Sequence, residues 1–411
     1  MAKKVSIRNL YKVFGVNPQR ALDLLSQGYT KDDILKETGL TVGVQDVSFD
    51  VDAGEIFVVM GLSGSGKSTL VRMINRLINP TLGKILIDGE DVVAADSAQL
   101  RRLRLEKVSM VFQHFALFPH KTVVQNVEYG LKVRGVSPDE RRERALKALD
   151  QVGLRAWADR PPAALSGGMQ QRVGLARGLA VDPEILLMDE PFSALDPLIR
   201  RDMQQELVQL QRELKKTIIF ITHDLHEALI LGDHIAIMKE GRFVQLGTGE
   251  EIVGKPADDY VAAFTQDVDR SRVFTVDSVL AAPHALDLAS DTPKTALERM
   301  DKLKRNALHV LDEERVAGLV TYRDLAGNAR RNGGDLEAVL IRDFPMAEKG
   351  ARLHTLYKLC TEGLPIAVMD GKRLSGVAEP QAILAKLAAA EGEKTHRPRR
   401  QEGAARTASA G

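Results

Sequence analysis

Cysteine is almost absent from this 411-residue sequence, which contains only Cys360. No disulfide can therefore form within the chain, and the composition fits a reducing, cytoplasmic setting. The N-terminus lacks the apolar core of a signal peptide. No stretch approaches the ~18 consecutive apolar residues of a membrane span. If the protein works at a membrane, we expect it to do so through a partner.

An excess of charge of either sign is also missing, because 57 Lys and Arg residues nearly balance 56 Asp and Glu residues. The net charge of +1 gives no electrostatic footprint for a nucleic-acid partner. The hydrophobic fraction of 44% and the charged fraction of 27% are ordinary for soluble globular proteins. The length predicts two to three domains.

A glycine-rich segment at residues 61–68 is the feature around which the sequence is organised. It follows an apolar run at 56–60 and precedes a helical pattern at 69–77, so it matches the phosphate-binding loop G-x-x-x-x-G-K-[ST] in residues and context. The glycines let successive N–H groups point inward around an anion, and the helix N-terminus adds partial positive charge. In such a loop Lys67 reaches the β- and γ-phosphates of a nucleotide and Ser68 holds Mg²⁺.

Strand-like and helical patterns alternate through the first 267 residues, which predicts an α/β domain with a mostly parallel sheet. Gln113, Asp189 and His223 each follow or end an apolar, strand-like run. Ligand-binding groups occupy the carboxyl ends of strands in open α/β sheets, so these three residues are candidates for a site. Residues 115–162 have a charge-rich helical pattern.

Three further motifs complete the pattern: Leu-Ser-Gly-Gly-Met-Gln at 165–170, Asp-Glu at 189–190 and Ser-Ala-Leu-Asp at 193–196. With the phosphate-binding loop, Gln113 and His223, and in this order, they resemble the nucleotide-binding subunit of an ABC transporter. A phosphate-binding loop alone would leave GTPases and kinases open. The Leu-Ser-Gly-Gly signature excludes most of those proteins.

The resemblance implies a P-loop NTPase domain that binds and hydrolyses ATP with Mg²⁺. It also implies a helical subdomain at about residues 115–165 that contacts the permease. It implies that Glu190 polarises the attacking water as general base and that His223 contacts the γ-phosphate. Asp189 would hold Mg²⁺ through water and Ser68 would hold it directly. Gln113 would sense Mg²⁺ and the γ-phosphate and link the site to a transmembrane partner. The other residues expected to contact ATP in the same subunit are Gly61, Ser63, Gly64, Ser65, Gly66, Lys67, Thr69 and Asp196.

The family's signature motif implies a homodimer in which each ATP lies between two copies. The Ser166 hydroxyl and the N–H groups of Gly167 and Gly168 would bind the γ-phosphate across that dimer, at a helix N-terminus. Phe14 resembles the aromatic residue that stacks on adenine, and Tyr11 is the alternative for this role. Either ring could instead belong to the core.

The segment between Phe14 and Val44 is an insertion relative to the general family. Together with residues 61–66 and 193–200 it resembles the ATPase of glycine betaine/L-proline importers, which serve osmoprotection. The similarity to ABC ATPases extends over about residues 5–265. It implies a peripheral subunit at the cytoplasmic face of the cell (inner) membrane, with a transmembrane permease and a periplasmic or extracellular substrate-binding protein as partners.

Residues 268–390 carry an internal repeat in which each copy predicts a helix, a strand, a turn and a strand. The repeat resembles a tandem CBS module, an α+β regulatory pair that often binds adenine nucleotides. Thr321 and Asp324 match positions that contact ribose or phosphate in nucleotide-binding examples, whereas the second copy has Ala378 and Gln381 there. A purely structural dimerisation module is the alternative.

The domain prediction is therefore an ATP-binding domain at 1–267, a tandem CBS module at 268–390 and a disordered tail at 391–411. Two other functions remain open. A soluble ABC ATPase without a membrane partner usually carries two nucleotide-binding halves or a long coiled coil, whereas here the signature occurs once and no heptad is sustained. The second is an importer of another small solute, such as methionine or taurine. The insertion and the CBS pair argue against that function.

Overall fold

The computed structural model describes residues 3–113, 117–193, 195–329 and 335–392. The chain forms two compact units that divide after Val268. Within the described ranges, no helix is both long enough and apolar enough to cross a membrane.

The strands of the first unit form two sheets. One is antiparallel with the order β2-β1-β4-β5, and the other has the order β10-β9-β3-β8-β7-β6 and is parallel except for β10. The strands are β1 (Lys3–Phe14), β2 (Thr41–Asp52), β3 (Ile56–Met60), β4 (Leu82–Ile87), β5 (Glu90–Asp91), β6 (Val108–Val111), β7 (Ile185–Asp189), β8 (Thr217–Thr222), β9 (His234–Lys239) and β10 (Arg242–Gly247). The predicted α/β fold with a mostly parallel sheet is confirmed.

Strands β3, β7 and β8 are buried along their whole length, which is the pattern of parallel strands covered on both faces. The two faces of β3 belong to different cores. Ile56 and Val58 join a cluster with the helices around the signature motif, whereas Phe57 and Val59 join a cluster with the antiparallel sheet. The sheet edge that carries the motifs is thus fixed by packing on both sides.

The helices of the first unit cover the two sheets and form the region around the signature motif. They are α1 (Pro18–Ser26), α2 (Lys31–Thr38), α3 (Lys67–Ile74), α4 (Ser97–Glu106), α5 (Val123–Val127), α6 (Tyr129–Val133), α7 (Pro138–Gln151), α8 (Gly167–Ala180), α9 (Pro197–Leu214), α10 (Leu225–Leu231), α11 (Gly249–Gly254) and α12 (Asp259–Thr265). The residues predicted as a helical subdomain contain α5 to α7. The first two of them, 115 and 116, lie outside the described residues.

The second unit contains two similar halves. In each half a parallel strand pair is followed by an antiparallel hairpin, in sheets ordered β12-β13-β14 and β11-β17-β16-β15. The elements are β11 (Leu280–Ala281), β12 (Leu286–Asp287), α13 (Pro293–Leu303), β13 (Ala307–Asp312), β14 (Arg315–Thr321), α14 (Tyr322–Ala329), β15 (Met346–Glu348), α15 (Tyr357–Cys360), β16 (Ile366–Asp370), β17 (Arg373–Ala378) and α16 (Pro380–Gly392). Helix α16 reaches into the range predicted as a tail, and residues 393–411 of that tail lie outside the described residues.

The strand registers correct the sequence alignment of the two repeat copies. Leu308 pairs with Val320 in the first hairpin, and Ile366 pairs with Ala378 in the second. Each hairpin has a register shift immediately before the two residue pairs nearest its turn. The two hairpins therefore correspond residue by residue. Ala378 is therefore the counterpart of Val320, and the expected match to Thr321 was wrong by one residue. The counterparts of Thr321 and Asp324 are Glu379 and Ala382, rather than Ala378 and Gln381.

Candidate functional site

The glycine-rich loop connects β3 to α3, and three of its glycines have positive φ angles. Gly66, with φ of 107°, immediately precedes the first residue of α3, and a Cβ built on it would lie 2.3 Å from the carbonyl oxygen of Gly43. Gly61 is equally confined, because its Cβ would lie 2.2 Å from the carbonyl oxygen of Met238. Only glycine fits a backbone that turns this tightly against two neighbouring strands.

Lys67 is the buried cation of the loop. Its Nζ donates to the carbonyl oxygens of Gly61 at 2.9 Å and Leu62 at 3.0 Å, and lies 3.7 Å from Oε1 of Glu190. Burial lowers the pKa of the Lys67 ammonium from its ordinary value, although the charges of Glu190 and Asp189 oppose that shift. The ammonium therefore stands in a partly desolvated position beside two carboxylates.

A hydroxyl and a buried carboxylate meet directly below the loop. The Ser68 hydroxyl donates to Oδ1 of Asp189 at 2.7 Å, and Arg72 donates to Oδ2 of the same carboxylate at 3.1 Å. Asp189 ends β7 and is only 2% exposed. The Arg72 contact was not foreseen from the sequence. Its position one turn after Ser68 on α3 is the only sequence signal that could have suggested it.

Glu190 follows Asp189 with its backbone in the left-handed region, at φ of 46°. Such a conformation is uncommon for a residue other than glycine and is found where the fold imposes it. Its Oε2 lies 3.1 Å from Nδ1 of His223, which directly follows β8. Gln113, two residues after β6, donates to the Ser193 hydroxyl at 3.3 Å, and that hydroxyl donates to the Glu190 carbonyl at 3.0 Å. The ends of three neighbouring strands thus converge on Glu190.

A cavity of about 510 Å³ lies over this group. Among the predicted site residues, nine line it: Phe14, Ser63, Gly64, Gly66, Lys67, Ser68, Thr69, Gln113 and Glu190. Phe14 is 39% exposed, and Lys12 Nζ lies 5.0 Å from its ring centroid. Tyr11, the other candidate for stacking on adenine, lines a different cavity. The geometry therefore favours Phe14 over Tyr11.

The other predicted residues lie around the cavity or apart from it. Gly61 packs against the Met238 carbonyl behind the loop. Ser65 is buried, and its Oγ has no hydrogen-bond partner in the described structure. Asp189 contacts the cavity residue Ser68, and His223 contacts the cavity residue Glu190. The remaining four predicted residues, which are also absent from the cavity lining, are Ser166, Gly167, Gly168 and Asp196.

The signature residues are instead the exposed start of α8. The Ser166 side chain accepts from the Met169 N–H, and Gly168 packs against Ile199 of α9, since a Cβ on it would lie 2.5 Å from Ile199 Cγ2. Asp196 caps α9 by accepting from the Ile199 N–H at 3.1 Å. The geometry thus brings Asp196 and the signature together around Ile199 and leaves both outside the cavity of their own subunit.

Six cavity residues were missed by the sequence reasoning: Lys31, Asp32, Leu35, Thr41, Val42 and Gly43. Thr41, Val42 and Gly43 lie at the start of β2, and the first three belong to α2 of the insertion. The sequence predicted a helix there, but no motif links it to the phosphate-binding loop.

The loop, the Asp-Glu pair at a strand end and the histidine after the adjacent strand define a nucleotide-hydrolysing domain of the ABC type. A model of the ABC transporter family matches residues 44–193. This class of protein binds ATP.

Curated relatives match over most of their length. The glycine betaine/carnitine transport ATP-binding protein GbuA of Listeria monocytogenes is 48% identical over 94% of this chain and 98% of that protein. The glycine betaine transport ATP-binding protein OpuAA of Bacillus subtilis is 46% identical over 97% and 98%. The glycine betaine/proline betaine transport protein ProV of Escherichia coli is 53% identical over 79% of each chain. The chain belongs to this family of ABC transport ATP-binding proteins.

Solved structures are similar to part of this chain. The ATP-binding cassette MJ0796, determined as a dimer in a post-hydrolysis state with ADP and Pi, is 33% identical with a TM-score of 0.51, over 59% of this chain and 98% of that chain. The ABC transporter component cbiO1 of Clostridium perfringens is 27% identical with a TM-score of 0.53, over 62% of this chain and 93% of that chain.

Proposed function

We propose that this protein hydrolyses ATP to energise the import of glycine betaine or a closely related quaternary ammonium osmolyte through a partner permease. The observation that best supports ATP hydrolysis is the position of Glu190. It lines the cavity and lies between the Lys67 ammonium and the His223 ring. The names of the near-full-length relatives support the choice of solute class.

Ser68 and Asp189 are proposed to hold Mg²⁺. A hydroxyl and a carboxylate 2.7 Å apart offer oxygen ligands, which Mg²⁺ prefers. Among the described residues, no cluster of three or more His, Cys, Asp or Glu side chains forms a dedicated metal cage. That fits an ion bound by one or two protein oxygens together with substrate phosphates. When bound, the ion would neutralise charge on the β- and γ-phosphates.

Glu190 is proposed to accept the proton of the attacking water. Its carboxylate is only 17% exposed and is oriented by His223, so it can hold a water near the γ-phosphate end of the cavity. Lys67 would leave its two carbonyl partners to pair with the phosphates, and Gln113 would exchange its contact with Ser193 for the ion or the nucleotide. The remaining loop residues would bind phosphate through their N–H groups.

A homodimer is proposed to complete the site. Ser166, Gly167 and Gly168 start a 14-residue helix whose exposed N-terminus suits an anion, and they lie outside the cavity of their own subunit. A second copy would therefore supply them to the γ-phosphate, with Asp196 beside them. A permease at the cytoplasmic face of the membrane and an extracellular or periplasmic substrate-binding protein would complete the transporter.

The second unit is proposed to be a tandem CBS module that regulates the ATPase. Its two halves share strand order and register, which supports the repeat. An adenine nucleotide at the first half would use Thr321, whose hydroxyl donates to Asp324 at 2.6 Å and accepts from the Asp324 N–H at 3.2 Å.

The test is ATP hydrolysis by the complete transporter in liposomes, with glycine betaine supplied to the binding protein. We expect betaine to stimulate hydrolysis by the wild type, and Glu190→Gln to lower the rate by roughly 10²–10⁴-fold while nucleotide binding persists. Glu106→Gln, which removes one exposed pair with Arg102, is the matched control and should leave the rate unchanged. Hydrolysis that ignores betaine and its analogues would contradict the proposed solute class. An unimpaired Glu190→Gln enzyme would contradict the site.

A further inference from the structure

We propose that helix α2 of the insertion forms a second wall of the nucleotide pocket, opposite the phosphate-binding loop, with Leu35 as its apolar contact to the base. The inference rests on the proposed function, because it takes ATP to be the occupant of the cavity. It assigns a nucleotide-binding role to a segment that carries no recognised nucleotide motif.

The topology brings the insertion back to the base-binding end of the pocket. Strands β1 and β2 are antiparallel neighbours, and Phe14 at the end of β1 pairs with Thr41 at the start of β2. The inserted residues therefore leave and re-enter the sheet beside the Phe14 ring. The ring lies directly on Gly43, where an added Cβ would be 2.8 Å from Phe14 Cε2. Any helix packed against this connection must lie close to Phe14.

Helix α2 is held in a fixed orientation. Ile34 is fully buried in a small core with Val13 of β1, Ala21 of α1, Val42 of β2 and Leu40, which directly precedes β2. Thr30 and Asp33 form a reciprocal capping box at the start of α2, and Gly39 ends it in the left-handed conformation. With Ile34 fixed in this core, the neighbouring side of the helix can point in only one direction.

The side of the helix next to Ile34 lines the cavity. Lys31 and Leu35 are four residues apart and so share one side of the helix, with Asp32 next to them, and all three line the same space as Phe14 and Lys67. Leu35 is 47% exposed, although removing an apolar side chain from water is favourable. The side chains of Lys31 and Asp32 make no hydrogen bond or ion pair within the described ranges.

The residues that line the cavity together with Leu35 point to the base as its partner. The phosphates belong at the loop, where Lys67 and Ser68 lie, whereas Phe14, Thr41 and Val42 line the cavity together with α2. A nucleotide that reaches from Lys67 to the Phe14 ring places its base between that ring and α2. An aliphatic side chain packs against the face of any purine, so Leu35 should add affinity for ATP and GTP alike.

The experiment is calorimetric titration of the full-length protein with Mg-ATP, Mg-GTP and Mg-tripolyphosphate, which has the phosphates without a nucleoside. We expect Leu35→Ala to weaken ATP and GTP about fivefold, equivalent to about 1 kcal/mol, and to leave tripolyphosphate unchanged. Leu77→Ala is the matched control, because Leu77 has a similar exposure of 51% and does not line the cavity. It should bind all three ligands as the wild type does.

A Phe14→Ala, Leu35→Ala double variant provides a second measurement. Two walls that contact one base should be coupled, so the double variant should lose less than the product of the two single losses. Unchanged ATP affinity in Leu35→Ala, or an equal loss for ATP and tripolyphosphate, would overturn the proposal while the nucleotide site itself stands. A wild type that binds neither ATP nor tripolyphosphate would overturn the proposed function, and the inference with it.

Discussion

His309 should make the stability of the second unit strongly dependent on pH. The ring is 1% exposed, its Nε2 has no hydrogen-bond partner in the described structure, and the Phe344 ring lies edge-on with 5.7 Å between centroids. Burial lowers the pKa of His309 from 6.5 to about 4. His284, Arg305 and Glu379 line the same small cavity, and Arg305 and Glu379 pair with each other.

The sign and size follow from proton linkage. The unfolded chain binds a proton at His309 below about pH 6.5, whereas the folded chain resists protonation until about pH 4, so acid favours unfolding. The free energy of unfolding should fall by about 2 kcal/mol between pH 7 and pH 5, and by about 3 kcal/mol at pH 4. A loss of 2 kcal/mol corresponds to roughly a 30-fold decrease in amide protection.

The assay is hydrogen exchange of the full-length protein, read from peptides of β13 and β14 and corrected for the intrinsic effect of pH on exchange. His309→Leu removes the titrating ring and its unpaired nitrogen, so the difference between wild type and variant should change by about 2 kcal/mol from pH 7 to pH 5. The exposed His284→Gln variant should keep the wild-type response. A difference between wild type and His309→Leu that stays constant across this range would refute the reasoning.

Two further predictions concern the first unit. Gly66→Ala should abolish measurable ATP binding, at least a tenfold loss by calorimetry, because its Cβ would lie 2.3 Å from the Gly43 carbonyl oxygen. Gly89→Ala, at an equally positive φ of 80° but with nothing within 4 Å, is the control and should bind normally. Lys4→Met should lower the free energy of unfolding by about 1 kcal/mol, because it removes a cation 2.7 Å from Asp88. Denaturation at high salt should reduce this loss, and a salt-independent loss would point to packing instead.

The catalytic end of the site was predictable because each of its residues follows a local rule. The phosphate-binding loop is contiguous, and the strands before Asp189 and His223 are unbroken apolar runs that can only be central in a parallel sheet. Once the strands are parallel neighbours, their carboxyl ends meet at one edge and the side chains after them converge. The order of motifs along the chain therefore fixed which residues share a site.

The other wall of the pocket was not predictable in this way. The pattern of residues 31–38 predicts a helix, and Ile34 can be recognised as its buried residue, but neither observation shows what the rest of the helix surface contacts. That depends on the pairing of Phe14 with Thr41 across the insertion, which is a tertiary fact. The antiparallel sheet was unpredictable for the same reason, since the alternation in β1 and β2 predicts strands but does not assign them to a sheet.

The register of the second repeat copy illustrates why a weak repeat misleads and what its correction means. The second copy keeps no threonine or aspartate that could align it with Thr321 and Asp324, so residue identity alone could not choose between Ala378 and Glu379. Strand pairing chooses Glu379, and this residue forms an ion pair with Arg305, which precedes the first hairpin. In the first half the corresponding threonine is half-buried and caps its own helix by accepting from the Asp324 N–H. The second half uses that position to join the two halves, so a ligand that needs a hydroxyl there should find it only at Thr321.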